Sequence, residues 1–544
     1  MTYVITQSCC NDASCVEVCP VDCIHPTPDE PGYGTAEMLY VNPDDCIVCG
    51  ACVDVCPVSA IYPDYELPDH LSEYAMVNAD YFTYAGNDYE MSGRPAKGSR
   101  IERDTPLRVA VVGAGPAGWF VADELTKSRR AEVEVTVVER LAAPYGLVRH
   151  GVAPDHLKTK GAADAFAQVA NRKQTTVRLG LEIGGDMSHA DLLETHHAVV
   201  YATGTPQGRT LGLPGEDLPG SASAAEFVTW YNGHPDHAAR EFDLSHDRAV
   251  IIGNGNVALD MARLLLLPEE RLRESEIAPD ALAALSASSI QEVVVIGRRG
   301  AEFAAFTSPE LRALVNDPDI DLVVDTADAA EVAAAAEMDD EISPAGFAVL
   351  QKAALLTAAA NEPRSGAKRL VLRFNLAPAE LLGEDRVTGL RATDGETIET
   401  GLVLRATGYL SERVADLGVD LPGGRFHHDA GRVLDSATGE QLAGTYAAGW
   451  VKRGSSGVIG TNRSCAAETV ASLLDDCAAG KLPEPAGGSA ELDGLLAERG
   501  LPIIDIKGWK ALDAFEIGAG AEAGRPRVKV VDADEQRRIA QARQ

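Results

Sequence analysis

The sequence predicts an α/β protein with two parallel-sheet domains and a small α+β domain in front of them. Three features support this prediction: a cluster of cysteines near the start, and two glycine-rich turns that each follow an apolar strand and precede a helix. Strands that alternate with helical segments form parallel sheets with helices on both faces. With 544 residues the chain is too long for one core, and about three or four domains are expected.

Composition and charge narrow the class of protein. The chain has 45% apolar and 24% charged residues, which is ordinary for a globular protein. Its formal net charge of −34 argues against a nucleic-acid binder, because neutralising phosphates requires clustered Lys and Arg. No run of about 18 apolar residues occurs, so we expect no membrane insertion. The start, MTYVITQSCC, shows no secretory signal, and we expect a cytoplasmic protein.

Nine of the eleven cysteines lie within residues 9–56. A disulfide framework would suit a small secreted protein, but a long chain without an export signal favours metal or cluster ligation. Thiolates are soft ligands suited to iron–sulfur clusters, and the run C-x2-C-x2-C-x3-C-P places three around one cluster and sends the fourth to another. Zinc is the alternative, but zinc sites rarely show this run followed by proline. The run consists of Cys46, Cys49, Cys52 and Cys56.

The first half of this cysteine module repeats the spacing with one substitution, since Asp12 stands where the second cysteine belongs. A hard carboxylate holds cluster iron less firmly than a thiolate, so the iron at that corner is labile. Two outcomes stay open: a three-iron cluster, or a four-iron cluster with Asp12 as a ligand. The matching cysteines are Cys9, Cys15 and Cys19.

The cysteine module resembles the seven-iron ferredoxins, which hold one [3Fe–4S] and one [4Fe–4S] cluster. Cys10 is a competitor of Cys9, although its spacing to Cys15 does not fit, and Cys23 is predicted to pack near a cluster without ligating it. The resemblance implies a three-iron cluster on Cys9, Cys15 and Cys56, and a four-iron cluster on Cys19, Cys46, Cys49 and Cys52.

The first glycine-rich turn, in RVAVVGAGPAGWFVADEL, has the pattern G-x-G-x-x-G between a strand and a helix. Gly113 permits the tight turn, Gly115 the approach of a pyrophosphate, and Gly118 the packing of helix on strand. The helix N-terminus offers N–H groups to the phosphates. The next strand ends in Glu139, placed to accept hydrogen bonds from a ribose. Because an acid there disfavours a 2′-phosphate, FAD or NAD fits this site better than NADP.

The second turn, GNGNVA, again joins a strand to a helix. Its following strand, EVVVIGRRG, ends in Arg298 and Arg299 instead of an acid. Guanidinium groups bind phosphate oxygens bidentately, so this pair is predicted to clamp the 2′-phosphate of NADP. A solvated basic turn is the simpler alternative. The Ala-rich stretch over residues 327–341 is predicted as a surface helix.

The segment PYGLVRHGVAPDH resembles the signature of the adrenodoxin reductase family of NADPH:ferredoxin reductases. Similarity extends over LGLPGEDLPG, WYNGHPD, GRRG, FTSPELR, RATGY, GWVKRGSSGVIGT and GRPRVKV. A ferredoxin followed by a reductase resembles a bacterial fused subtype, with two Rossmann-like domains arranged as in glutathione reductase. The implied organisation is a ferredoxin domain over 1–82, a linker over 83–105, an FAD-binding domain over 106–207 and 409–544, and an NADP-binding domain over 208–408.

The resemblance also implies site residues. His156 and Glu310 are the implied catalytic residues, with His156 near the flavin, where it tunes hydride transfer; capping a helix is its alternative role. The family often carries a second acid three residues after Glu310, where this chain has Ala313. FAD would be held by Ala117, Glu139, Leu147, Trp450, Gly457, Val458 and Ile459. NADPH would be held by Asn254, Gly255, Asn256, Val257, Arg298, Arg299, Glu310 and Gly457.

We therefore expect a ferredoxin–NADP(+) reductase that passes electrons from NADPH through FAD to its own clusters. An external acceptor, such as a ferredoxin or a cytochrome P450, would then receive them. In such an enzyme the flavin carries the chemistry and the protein supplies orientation and electrostatics. Two alternatives remain: an electron-input subunit of a larger oxidoreductase complex, or a reductase whose ferredoxin module serves for docking or redox sensing.

Overall fold

A computed structural model describes residues 1–30, 32–86, 99–338, 343–361, 365–411, 417, 425–501 and 503–542. Residues 87–98, which are part of the predicted linker, lie outside the described residues. The chain divides into two compact units. The first unit comprises Met1–Ser92, Ala153–Lys158 and Gly208–Gly408, and the second comprises Gly93–Val152, Thr159–Gln207 and Tyr409–Gln544.

The cysteine module, at the start of the first unit, consists of two similar halves. Asn11 and Val48 have φ angles of 54° and 56°, and Asp22 and Ser59 have 48° and 49°, so the backbone repeats at matching positions. Its strands pair antiparallel, Tyr3–Ile5 with Ile61–Pro63 and Ile24–His25 with Tyr40–Val41. Its α-helices are Ser14–Val18, Ala51–Val55 and Tyr74–Ala85, and its short 3-10 helices are Tyr33–Thr35, Asp64–Glu66 and Asp69–Leu71.

The later part of the first unit is built on a parallel sheet, which has six strands in the described residues. In spatial order these are Ser221–Ser223, Leu402–Arg405, Arg248–Ile252, Glu292–Ile296, Lys368–Arg373 and Ile320–Val324. A smaller antiparallel sheet contains Pro378–Leu382, Gly389–Ala392 and Thr397–Glu399. The helices are Ala224–Tyr231, Asn256–Leu266, Glu269–Arg273, Pro279–Ser286, Ser308–Val315, Thr326–Met338 and Pro344–Asn361, with a 3-10 helix at Ala301–Phe303.

The second unit is built on a sheet whose described residues form seven strands. Its core is apolar, and the central strand Leu107–Val112 pairs in parallel with both of its neighbours. In spatial order the strands are His428–Asp429, Arg432–Leu434, Gln441–Ala447, Ala198–Tyr201, Leu107–Val112, Val133–Glu139 and Thr175–Leu179. The helices are Pro116–Lys127, Leu147–His150, Ala162–Ala170, His189–Thr195, Trp450–Arg453, Thr461–Ala478, Ser489–Glu498, Ile506–Ala523 and Ala533–Gln541.

Three short elements lie where the chain passes between the units: strands Gln207–Gly208 and Tyr409–Leu410 and helix Leu157–Lys160. Among the described helices, none combines the length and hydropathy that a membrane span requires. Two sheets with parallel cores, each flanked by helices, together with a small α+β module, confirm the predicted fold class.

Candidate cofactor sites

The two glycine-rich turns have nearly the same geometry. Gly113 and Gly253 both have a φ angle of 108°, which side chains rarely adopt. A Cβ atom at Gly113 would lie 2.4 Å from the carbonyl oxygen of Ala202, and one at Gly253 would lie 2.4 Å from that of Ala406. Each turn therefore presses against the end of a neighbouring strand and accepts only glycine at its first position.

The helices that begin at these turns, Pro116–Lys127 and Asn256–Leu266, carry no side-chain cap within the described part of the chain. Elsewhere, Ser188 and Ser223 form capping boxes on their helices. Uncapped N–H groups at a helix N-terminus are the donors that bind a pyrophosphate. Both turns therefore fit the phosphates of a dinucleotide.

Glu139 lies at the end of its strand, beside the first turn. Its carboxylate accepts hydrogen bonds from the backbone N–H groups of Ala114 and Leu141, each at 3.0 Å. Burial raises the pKa of Glu139, and these backbone hydrogen bonds oppose the rise. The carboxylate is thus fixed next to the turn, with lone pairs left for further donors.

All residues predicted to hold FAD lie in the second unit. A Cβ atom at Gly449 would lie 2.4 Å from the Ala117 Cβ. The backbone at Gly449 therefore packs against the first turn of helix Pro116–Lys127. The Trp450 ring stacks on Tyr409 with centroids 5.7 Å apart, and its Nε1 donates to the Ser456 carbonyl at 3.0 Å. With the glycine turn the set is Gly113, Gly115, Ala117, Gly118, Glu139, Leu147, Trp450, Gly457, Val458 and Ile459.

The residues predicted to hold NADPH lie in the first unit, except Gly457. Arg298 and Arg299 are exposed and follow strand Glu292–Ile296, the parallel neighbour of the strand that leads into Gly253. The Arg299 guanidinium carbon lies 5.0 Å from the centroid of the Phe303 ring. The two guanidinium groups are therefore accessible to a phosphate. The set in this unit is Asn254, Gly255, Asn256, Val257, Arg298, Arg299 and Glu310.

The two residues predicted to be catalytic lie close together in the first unit. His156 Nε2 is 3.8 Å from Glu310 Oε2 and 3.9 Å from Asp260 Oδ1. Burial raises the pKa of Glu310; Asp260 adds to the rise, whereas His156 opposes it. Within the described residues, Glu310 Oε2 is buried and has no hydrogen-bond partner. A buried acceptor left in this state fits a ligand that brings a donor.

Three charged residues around this pair, Asp155, Asp260 and Arg263, are not predicted from the sequence. Arg263 donates to both carboxylate oxygens of Asp155, at 2.9 and 3.0 Å, and to Asp260 Oδ1 at 2.8 Å. Burial would lower the pKa of Arg263, but the charges of Asp155 and Asp260 raise it well above its usual value. The available signal was the one-turn spacing of Asp260 and Arg263 on the helix that follows the glycine turn.

The predicted cluster ligands line two cavities in the cysteine module. Each offers soft thiol donors around a small apolar space, which fits an iron–sulfur cluster. The first cavity is lined by Cys9, Cys10, Asp12, Cys15 and Cys56 with Ile5, Leu39, Val58, Ala60 and Ile61. The second is lined by Cys19, Cys23, Cys46, Cys49 and Cys52 with Tyr3, Val21, Ile24, Val41, Ile47 and Gly50.

All eleven cysteines are free thiols, so the structure does not support a disulfide framework. Burial raises the pKa of Cys9 and of Cys52 to about 12, so their thiolates require a neighbouring cation such as cluster iron. The Cys23 Sγ lies 3.5 Å from the Cys19 Sγ, beside the second cavity. The Asp12 carboxylate accepts a hydrogen bond from the Ser14 backbone N–H at 3.4 Å and another from the Ser14 hydroxyl.

Two dinucleotide-type turns and two thiol-lined cavities in one chain define a nucleotide-dependent oxidoreductase with an iron–sulfur module. The family model described as pyridine nucleotide-disulphide oxidoreductase matches residues 107–340, and that described as 4Fe-4S binding domain matches residues 39–62. The probable ferredoxin/ferredoxin–NADP reductase of Mycobacterium tuberculosis H37Rv is 44% identical over 551 residues, covering 98% of this chain and 94% of that protein.

Two further relatives match about four fifths of the chain. The mitochondrial NADPH:adrenodoxin oxidoreductase of Arabidopsis thaliana is 38% identical over 455 residues, covering 78% of this chain and 94% of that protein. The solved structure of Mycobacterium tuberculosis FprA in complex with NADPH aligns with a TM-score of 0.73 at 35% identity, covering 80% of this chain and all of FprA. The chain therefore belongs to the ferredoxin–NADP reductase family, and the predicted resemblance and enzyme class are confirmed.

Proposed function

We propose that the chain is an NADPH:ferredoxin oxidoreductase that passes electrons from NADPH through FAD to its own clusters. An external acceptor, such as a ferredoxin or a cytochrome P450, would then receive them, and we place this activity in the cytoplasm. The observation that carries the proposal is the presence, in one chain, of two uncapped glycine turns and two thiol-lined cavities. FAD, when bound, accepts a hydride and releases single electrons, which matches iron–sulfur clusters as acceptors.

The nucleotide assignments follow from the charge at each turn. We assign FAD to the turn at Gly113, where Glu139 suits a ribose, and NADPH to the turn at Gly253, where Arg298 and Arg299 suit a 2′-phosphate. The FprA structure, solved with NADPH, supports the nicotinamide assignment. Glu310 would bind NADPH through its buried carboxylate oxygen. His156, whose Nε2 lies 3.8 Å from that oxygen, would tune hydride transfer.

The cluster assignments follow the two cavities. We assign a [3Fe–4S] cluster to Cys9, Cys15 and Cys56, because Asp12, which lines the same cavity, already accepts hydrogen bonds from Ser14. The alternative, a four-iron cluster completed by Asp12, predicts that the oxidised protein lacks the EPR signal of a [3Fe–4S] cluster. The [4Fe–4S] cluster is assigned to Cys19, Cys46, Cys49 and Cys52.

Activity assays on the purified chain test this function against its alternatives. The chain alone should reduce both ferricyanide and cytochrome c with NADPH. The variant Cys49→Ser should lose most cytochrome c reduction and keep ferricyanide reduction. The control Cys477→Ser, a cysteine of the second unit that lines neither cavity, should keep both.

Two results would contradict this account. A chain that stays inactive until a partner is added would be an electron-input subunit of a larger complex. A Cys49→Ser variant that still reduces the physiological acceptor at the normal rate would point to a docking or sensing role for the module.

A further inference from the structure

Glu37 lies in the cysteine module, which is the iron–sulfur module of the chain. It makes a buried contact with the later part of its own unit. Its Oε1 pairs with Lys352 Nζ at 2.9 Å, and its Oε2 accepts a hydrogen bond from the Ser308 backbone N–H at 2.7 Å and another from the Ser308 hydroxyl. The side chains of Glu37 and Lys352 are only 8% and 10% exposed. A carboxylate this buried is tolerated only when it is paired and hydrogen-bonded, as here.

Helix Ser308–Val315 touches the module at a second point. Arg312 forms an ion pair with Glu73, and its guanidinium carbon lies 5.9 Å from the centroid of the Tyr74 ring. Its other terminal nitrogen donates to Gln351 at 2.7 Å. The module therefore holds this helix at its first residue and again one turn later.

Phe347 supplies an apolar anchor between the same two parts of the unit. Phe347 lies in helix Pro344–Asn361, yet its side chain packs into the core of the iron–sulfur module and is only 3% exposed. Its ring meets those of Tyr40 and Tyr81 edge-on, at centroid distances of 5.6 and 5.4 Å. An aromatic anchor inside charged contacts is the arrangement found at the centre of specific interfaces.

The helix held by Glu37 is also the one that carries Glu310. Its preceding residue, Thr307, donates its backbone N–H to Asn256 Oδ1 at 2.7 Å, and Asn256 lies in the second glycine turn. Two successive N–H groups at the start of the helix are therefore bound from different sides. The nucleotide turn holds that of Thr307, and the iron–sulfur module holds that of Ser308.

We propose that Glu37 is a positioning residue for NADPH, so that the docked ferredoxin domain forms part of the support of the nicotinamide site. The inference rests on the proposed role of Glu310 and Asn256 in binding NADPH. A carboxylate at a helix N-terminus stabilises the first turn through hydrogen bonds and the helix dipole. Without Glu37 the start of the helix would loosen, and both Asn256 and Glu310 would lose their fixed positions.

The test compares Glu37→Ala and Glu37→Gln with Glu66→Gln, an exposed carboxylate of the same module, in the full chain with its cofactors. Three quantities are measured: amide hydrogen exchange in residues 308–315, the dissociation constant of NADP+, and the rate of flavin bleaching by NADPH, which does not require the clusters. For Glu37→Ala we expect faster exchange and NADP+ binding weakened about tenfold, the equivalent of about 1.4 kcal/mol. Glu37→Gln, which keeps an acceptor oxygen, should fall between Ala and the wild type.

Unchanged exchange in residues 308–315 of Glu37→Ala would show that the contact does not hold the helix and would overturn the proposal. Faster exchange with unchanged NADP+ affinity and bleaching would also overturn it, because Glu37 would then serve docking alone. If Glu37→Ala does not fold, Glu37→Gln and Ser308→Ala carry the same comparison. A wild-type flavin that NADPH does not bleach would refute the proposed function, while the exchange data would still test the contact.

Discussion

We predict that Arg298 and Arg299 select NADPH over NADH at the second glycine turn. Both are exposed at the end of a strand beside the glycine turn, and hydrogen bonds to charged groups contribute about 1.5–3 kcal/mol each. The variant Arg299→Ala should therefore bind NADPH about ten- to a hundredfold more weakly and bind NADH as before. Titration with both cofactors checks this, with Arg391→Ala, on the separate antiparallel sheet, as the control. Equal affinity for NADPH in variant and wild type would refute the clamp.

We predict that Asp12 sets the iron content of a cluster in the first cavity. The variant Asp12→Cys completes a fourth thiolate corner and should convert a three-iron cluster into a four-iron one. The oxidised wild type should show the EPR signal of a [3Fe–4S] cluster, and the variant should lose that signal while its iron content rises. A wild type without the signal, and with the same iron content as the variant, would mean that Asp12 ligates a fourth iron.

Residues that act in local patterns were predictable from the sequence, whereas their supports were not. A few neighbouring residues are enough to identify Gly113, Gly253 and the cysteine runs, because turn geometry and ligand spacing are local constraints. Arg263 meets Asp155 across more than a hundred positions of sequence, and only the fold brings them together. The ligand and nucleotide assignments remain predictions, although the cavities and turns group the assigned residues as expected.

At the scale of elements, helix Ile506–Ala523 is attached to the rest of its unit by a buried ion pair. Arg149 donates to both oxygens of Glu516, at 2.9 and 2.6 Å, and Arg527 adds a third hydrogen bond at 2.9 Å. Burial would raise the pKa of Glu516, but these two cations hold it below its usual value. The pair therefore stabilises the fold above the unfolded-state pKa of about 4.3, and the stabilisation is lost as pH falls through the lower folded-state pKa.

The variant Glu516→Gln tests this attachment. It leaves Arg149 as an uncompensated buried charge, which should cost about 3–5 kcal/mol at neutral pH and lower the midpoint of the first unfolding transition. The loss should shrink in acid, where the wild type loses the same interaction. Thermal unfolding at pH 7 and at about pH 3, well below the unfolded-state pKa, measures this. Glu535→Gln, in an exposed pair with Arg538, is the control. An equal loss at both pH values would contradict the assignment.

The Ala-rich stretch is predictable as a helix, whereas the contacts of the helix that follows it are not. Helix Thr326–Met338 agrees with the predicted surface helix up to its last described residue. The following helix, Pro344–Asn361, has no distinctive pattern, yet it supplies Phe347 and Lys352 to the contact with the iron–sulfur module. Such contacts depend on partners more than 250 positions away, so that no local signal marks them. The repeat of backbone angles in the cysteine module likewise became clear only from the fold.

At the scale of the whole molecule, the iron–sulfur module and the later, nucleotide-binding part of the first unit form one compact body. From the sequence, the module is expected to be a separate domain on a linker. The contacts of Glu37, Arg312 and Phe347 explain why the two cluster together instead. The domain boundaries drawn from the family resemblance remain a prediction.

We propose that one polypeptide takes hydride from NADPH and delivers single electrons to its own iron–sulfur clusters. Absorption and EPR spectra of the purified chain, recorded anaerobically before and after NADPH, test this electron route. We predict one flavin and two clusters per chain, with NADPH bleaching the flavin and then producing the EPR signals of reduced clusters. A flavin that bleaches while both clusters stay oxidised would contradict the claim.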